Sequence, residues 1–175
     1  RAGLLGGGGG REGGSGGGEI NAARLGGGRD RLTDRGLGDG LRWAGMNAGV
    51  LPFPGASFDA VTMVFGLRNV TNKAAALADI HRVLKPGGRA LIMEFSKVKS
   101  PLLSKHYDYH SFKVLPRRGQ QFAGDADRYQ YLAESIRKHP DQEGMRELMN
   151  EAGFDRVDVR NLSHGIVAIH RGYKF

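Results

Sequence analysis

From Phe58 to Phe65 the chain is apolar at nearly every position, FDAVTMVF. That pattern predicts a buried strand of a parallel sheet, because a half-exposed strand would alternate apolar with polar residues. Gly66 closes the run. Leu77, Ile80 and Leu84 then recur at helical spacing and predict a helix with one apolar stripe, roughly three turns long. Lys85-Pro86-Gly87-Gly88 stops it, since proline cannot continue a helix and glycine tolerates a left-handed turn. A second apolar run, Ala90 to Phe95, follows at once. Strand, helix, turn and strand make a βαβ unit with both strands parallel in one sheet. Ligands of such sheets lie at the carboxyl ends of the strands. Two segments reach that rim: Gly66-Leu67-Arg68-Asn69, and Glu94-Phe95-Ser96.

The pattern downstream changes character. Residues 101 to 127 carry His106, Tyr107, Tyr109, His110 and Phe112 and fit an amphipathic helix broken at Pro116 and Gly119. The stretch is too long for a plain crossover, which suits a cover over the site. Tyr129 to Ile136 reads as a short helix. Pro140-Asp141 starts another, with Met145, Leu148, Met149 and Ala152 as its buried stripe and Gly153 as its end. Arg156 to Leu162 and Gly165 to His170 form a terminal hairpin.

The front of the chain lacks this order. Residues 1 to 50 hold 19 of the 29 glycines, which fits either a flexible arm of low complexity or a degraded strand, glycine loop and helix. The second reading draws on Leu25, Leu32, Leu37 and Leu41 at loosely helical spacing and on a charged helix from Arg29 to a cap at Gly36. Two regions result: a glycine-rich remnant at 1–46 and a domain at 47–175.

Composition narrows the class of function. At 175 residues the chain holds one domain of ordinary size. It has no cysteine, which excludes disulfides and thiolate metal sites and permits a reducing compartment. No run is long enough to span a bilayer and no leader pattern opens the chain. A net charge of +8 would suit nucleic acid or an acidic lipid surface, yet the basic residues are interspersed with acids, as on an ordinary solvated surface.

Several stretches resemble the UbiE-type family, the SAM-dependent C-methyltransferases of ubiquinone and menaquinone biosynthesis. They are Asn47-Ala48 with Leu51-Pro52-Phe53-Pro54, Phe65-Gly66-Leu67-Arg68-Asn69-Val70, Arg82 to Gly88, Glu94-Phe95-Ser96-Lys97, Tyr131 to Arg137, His139-Pro140-Asp141-Gln142, and Gly165 to Phe175. The resemblance implies an α/β fold: the three-layer, Rossmann-like class I sheet, mostly parallel with a C-terminal antiparallel strand, its N-terminal part incomplete. It also implies S-adenosyl-L-methionine as cofactor and a polyprenyl quinol, a benzoquinol or demethylmenaquinol, as substrate. Glu19 then stands at the end of the second strand, where a carboxylate accepts from the ribose hydroxyls. Asn47 and Ala48 match the pair that meets the adenine, and Val64 a position near the cofactor at the end of the fourth strand. Relatives carry an Asp-x-Ala-Gly-Gly-Thr-Gly loop after strand one. Leu4-Leu5 and five glycines imitate it, but leave no room for a helix before Glu19. The expectation is a member truncated and degraded at its front.

Methylating a quinol carbon needs a methyl sulfonium, a ring carbon activated by loss of a phenol proton, and alignment of the two. Arg68 is the candidate catalytic residue, because a guanidinium beside the phenolic oxygen favours the phenolate; it could instead brace its loop through backbone carbonyls. Asn69, Glu94, Tyr107 and His110 are the candidate substrate contacts. Glu94 could face the site or pair with Lys97, and Tyr107 and His110 could be core. His81 and His139 read as structural, and no cluster has metal-ligand spacing. Peripheral contact with the inner membrane from the cytoplasmic side is expected, with a homodimer or a quinone-biosynthesis complex as the assembly. Two other functions compete: an inactive scaffold of the same fold, and a glycine-rich nucleic-acid binder, which the lack of Arg-Gly-Gly boxes disfavours.

Overall fold

A computed structural model describes residues 4–6, 15–19, 41–45, 50–98 and 126–175. Among them lie seven strands: β1 (Leu4–Gly6), β2 (Ser15–Glu19), β3 (Leu41–Gly45), β4 (Phe58–Val64), β5 (Leu84–Phe95), β6 (Asp155–Leu162) and β7 (Val167–Tyr173). They form one sheet in the order β3-β2-β1-β4-β5-β7-β6. Among the described residues three α-helices accompany it: α1 (Lys73–Val83), α2 (Ala126–Lys138) and α3 (Gln142–Glu151).

The βαβ unit is β4, α1 and β5, and its two strands pair in parallel. Asn72 caps α1, its side-chain oxygen accepting from the Ala75 amide at 3.0 Å, which satisfies one of the free N–H groups at the helix start. The helix buries Ala76, Leu77, Ile80 and Val83 and ends where Leu84 turns extended. Asp141 caps α3 in the same way through the Gly144 amide. That helix buries Met145 and Met149, and Gly153 follows it at φ +95°.

Burial along β4 alternates, with Val61 and Met63 buried and their neighbours half-buried. The strand is therefore not enclosed equally on both faces, as its unbroken apolar run suggests. Val61 and Met63 lie opposite Ala90 and Ile92, and this row joins Leu77, Ile80, Met145, Met149 and Phe154 in the core. Lys85-Pro86-Gly87-Gly88 also differs from expectation, because it lies within β5. Phe58 pairs with Leu84 and Ala60 with Arg89, so the extra residues form a bulge. Gly87 adopts φ +80°, and the tail holds the bulge through Gly87 N–H to the Lys174 carbonyl and Lys174 N–H to the Gly88 carbonyl.

Three strands come from the glycine-rich front. Leu41, placed at helical spacing by its sequence, lies in β3. The segment from 29 to 36 is outside the described residues. β2 and β3 pair in parallel, whereas β1 is antiparallel to both β2 and β4. Parallel neighbours need a crossover of a dozen or more residues, and only residues 7–14 separate β1 from β2. β2 to β6 therefore run one way, and β1 joins β7 in running the other.

Candidate active site

At the carboxyl end of β4 the backbone turns at Phe65, not at Gly66. Phe65 has φ +52°, a conformation an aromatic residue holds only when its surroundings impose it. Its amide donates to the Met93 carbonyl at 2.9 Å, and its ring meets that of Phe95 at 4.7 Å between centroids. A single 3-10 turn, Leu67–Asn69, follows. Leu67 is fully buried and anchors it.

This turn delivers Arg68 to Glu94. Arg68 Nη1 donates to Glu94 Oε1 at 2.8 Å and to the Phe65 carbonyl at 2.7 Å. Glu94 Oε2 accepts from the Arg68 amide at 3.2 Å, and Oε1 also accepts from the Phe95 amide at 2.9 Å. Glu94 is 1 % exposed because it shares the inward face of β5 with Ile92. Its ion-pair partner is Arg68 rather than Lys97. The guanidinium lies against the rings of Phe65 and Phe95, and its Nε is buried without a partner. Arg68 thus braces its own loop through the Phe65 carbonyl.

Asn69 is exposed beside it, and its Oδ1 accepts a hydrogen bond from the Tyr131 hydroxyl of α2 at 3.2 Å. Behind the pair lie two buried histidines. His139, between α2 and α3, has its pKa pushed down to about 4, first by burial and then by the positive charges of Lys73, His170 and Arg68. His170 of β7 is also held below its usual value, chiefly by burial, and its Nε2 meets the Gln142 carbonyl at 3.0 Å. Gln142 in turn donates to the Lys97 carbonyl and to Asn161 Oδ1, tying the carboxyl ends of β5 and β6 together. Sequence reasoning passed over Tyr131, Gln142 and His170. The first two lie in the motifs YLAESI and HPDQ, so the motifs themselves were the available signal. His81 packs edge-on against Phe154, a structural setting. Among the described residues no group of His, Cys, Asp and Glu is placed to hold a metal.

Of the expected cofactor residues, Val64 ends β4 and Glu19 ends β2. Leu4 lies opposite both Gly18 and Met63, so Glu19 and Val64 stand at one level of the sheet. With one strand between them, their Cα atoms are roughly 10 Å apart. Asn47, Ala48, Tyr107 and His110 lie outside the described residues.

The model of the ubiE/COQ5 methyltransferase family matches residues 10–174. The chain belongs to that family. A "Ubiquinone/menaquinone biosynthesis C-methyltransferase UbiE" of Xanthomonas axonopodis pv. citri is 60 % identical over 157 residues, 90 % of this chain and 62 % of the relative. One of the same description from Marinomonas is 54 % identical over the same shares. The chain therefore spans under two thirds of the length of these family members. Among solved structures, a SAM-dependent methyltransferase from Methanosarcina mazei aligns with a TM-score of 0.62 at 19 % identity, over 91 % of this chain and 81 % of the other. Another from Aquifex aeolicus gives 0.60 at 13 %, over 89 % and 66 %. These two likenesses establish the class I methyltransferase fold for this family member.

Glu19 closes β2 at the level of Val64, the backbone position the resemblance assigns to the ribose-binding acid. Of the five glycines read as an imitation of the cofactor loop, Gly6 ends β1, and residues 7–10 lie outside the described residues. Gly6 lies opposite Val61 and Leu4 opposite Met63, so β1 points its carboxyl end at the far edge of the sheet.

Proposed function

We propose that this chain acts in the SAM-dependent C-methylation of a polyprenyl quinol, a benzoquinol or demethylmenaquinol of ubiquinone and menaquinone biosynthesis. The observation that carries the reading is the meeting of Arg68 and Glu94 at the carboxyl rim of β4 and β5. When bound, SAM supplies an electrophilic methyl group. The chain's own residues activate and orient the quinol: Arg68, locked by Glu94 and the Phe65 carbonyl, places a permanent positive charge beside a phenolic oxygen and favours the phenolate. A preset guanidinium needs no reorganisation as that charge forms. Asn69 stands next to it as a second polar contact. Glu94, buried and engaged, acts on the substrate through Arg68.

No helix among the described residues is long and apolar enough to cross a membrane. A prenylated substrate would bring the chain to the cytoplasmic face of the inner membrane as a peripheral protein, alone, as a homodimer or within a quinone-biosynthesis complex. Methyl transfer from labelled SAM to a short-chain quinol tests the reading, and the expected result is incorporation that Arg68→Ala removes. A second reading, an inactive scaffold of the same fold, draws support from the reversed β1. Calorimetry separates the two, because a scaffold shows no heat with SAM.

A further inference from the structure

The hydroxyl of Tyr131 lies 3.2 Å from Asn69 Oδ1, and it is a direct side-chain link between α2 and the turn that carries Arg68. Tyr131 itself is 60 % exposed. An exposed hydrogen bond of this kind contributes little to stability, so its effect is better sought in what it does to Asn69. A side-chain amide has two chemically opposite ends, an accepting oxygen and a donating NH2. Exposed and unrestrained, it turns either end toward a ligand. A phenolic O–H that donates to Oδ1 removes that freedom: the oxygen is committed to α2, and Nδ2 with its two N–H donors is left to face outward.

We propose that Tyr131 is a positioning residue that fixes the Asn69 amide with its NH2 toward the substrate, as a donor to an oxygen of the quinol ring. The proposal rests on the quinol-methylating reading given above. Its chemistry is the same on both residues of the turn. Arg68 and Asn69 both present N–H donors, as an oxygen gaining negative charge requires, and an amide oxygen turned the same way would repel it. The aromatic ring of Tyr131, mostly open to solvent beside Asn69, also gives the ring of an aromatic substrate an apolar neighbour.

The test is a double-mutant cycle read in methyl transfer to a short-chain quinol, with binding of the unprenylated hydroquinone followed by calorimetry. Tyr131→Phe removes only the hydroxyl. A neutral hydrogen bond of about 1 kcal/mol corresponds to a loss of about five-fold in kcat. The melting temperature and the affinity for SAM stay at wild-type values. Asn69→Asp, which accepts and cannot donate, loses about 100-fold, the scale of one missing donor to an oxyanion. In the Asn69→Asp background Tyr131→Phe is silent, because Tyr131 acts only through Asn69. Hydroquinone binding weakens in both single variants. Wild-type activity in Tyr131→Phe, or an equal loss from it in both backgrounds, overturns the proposal while leaving the methyltransferase reading intact. A wild-type chain that binds SAM and the hydroquinone yet transfers no methyl group sinks that reading and this inference with it.

Discussion

Glu94 shows how one buried carboxylate can serve two masters. It completes the Arg68 pair, and it sits among core residues of β5 where an unpaired charge has no water to turn to. Replacing it with Gln keeps the shape and strands the guanidinium, which costs about 3–5 kcal/mol because breaking a buried pair is worse than never having it. Replacing both, with Arg68→Met and Glu94→Leu, recovers most of that loss and, on the proposed function, abolishes methyl transfer. Chemical denaturation of the three variants, beside their activity, separates the stabilising role from the chemical one. His139 carries the opposite problem. Its pKa falls from 6.5 to about 4 in the folded state, so the unfolded chain takes up the proton first as pH drops. Stability is therefore complete above the unfolded value near 6.5 and declines through the window down to 4. Between pH 7 and 5 the decline is about 2 kcal/mol, and His170, shifted in the same direction, adds to it. His139→Gln should flatten this part of the profile in urea midpoints measured across that range; an unchanged slope would show that His139 is not its source.

The Lys85-Pro86-Gly87-Gly88 stretch is where local signals and the element built from them diverge. Its residues spell a turn, and they do make one, yet pairing with Phe58 begins at Leu84 and resumes at Arg89, so turn and strand are the same piece of chain. The two glycines have different reasons to be there. Gly87 has open space around it but φ +80°, and Gly87→Ala costs about 1 kcal/mol in backbone strain. At Gly88 a methyl group would come 2.8 Å from the Lys85 carbonyl and 3.1 Å from that of Asp59. Both are fixed backbone, so Gly88→Ala exceeds Gly87→Ala, at about 2–3 kcal/mol, and thermal melts of the two variants give the order directly. The stripes of α1 and α3 were plainer, although Leu84, placed on the first of them by its spacing, opens β5. Leu77 and Ile80 on α1, and Met145 and Met149 on α3, stand at helical spacing and are all fully buried, because packing reinforced what the spacing already said. The meeting of Arg68 and Glu94 at one rim was legible for another reason, since both positions follow from where parallel strands end. Tyr131 was not, since its contact with Asn69 joins residues 62 positions apart and no local pattern encodes such a meeting.

Across the whole sheet, legibility follows side-chain content. From β4 onward each strand carries enough apolar residues to announce itself, whereas β2 is Ser15-Gly16-Gly17-Gly18-Glu19 and its membership follows only from backbone pairing with β1 and β3. The direction of β1 was equally hidden, because it is set by the length of the link to β2 and not by Leu4 or Leu5. Glycine offers a sheet no side chain to pack and loses the most entropy on ordering, so the two sides of this sheet should differ in how tightly they hold. β5 is paired on both edges, with β4 and β7, and its Ala90 and Ile92 lie in the core. Its amides from Ala90 to Phe95 should open only with global unfolding, while those of Gly16 to Gly18 open through local events of far lower free energy. Hydrogen exchange read by mass spectrometry at pH 7 should therefore label the β2 peptide at least about 100-fold sooner than the β5 peptide, a gap of about 3 kcal/mol in opening free energy. Equal protection would mean that the glycine strands are held by contacts other than their own ladders, and the rim at Glu19 would then be as firmly built as the rim at Arg68.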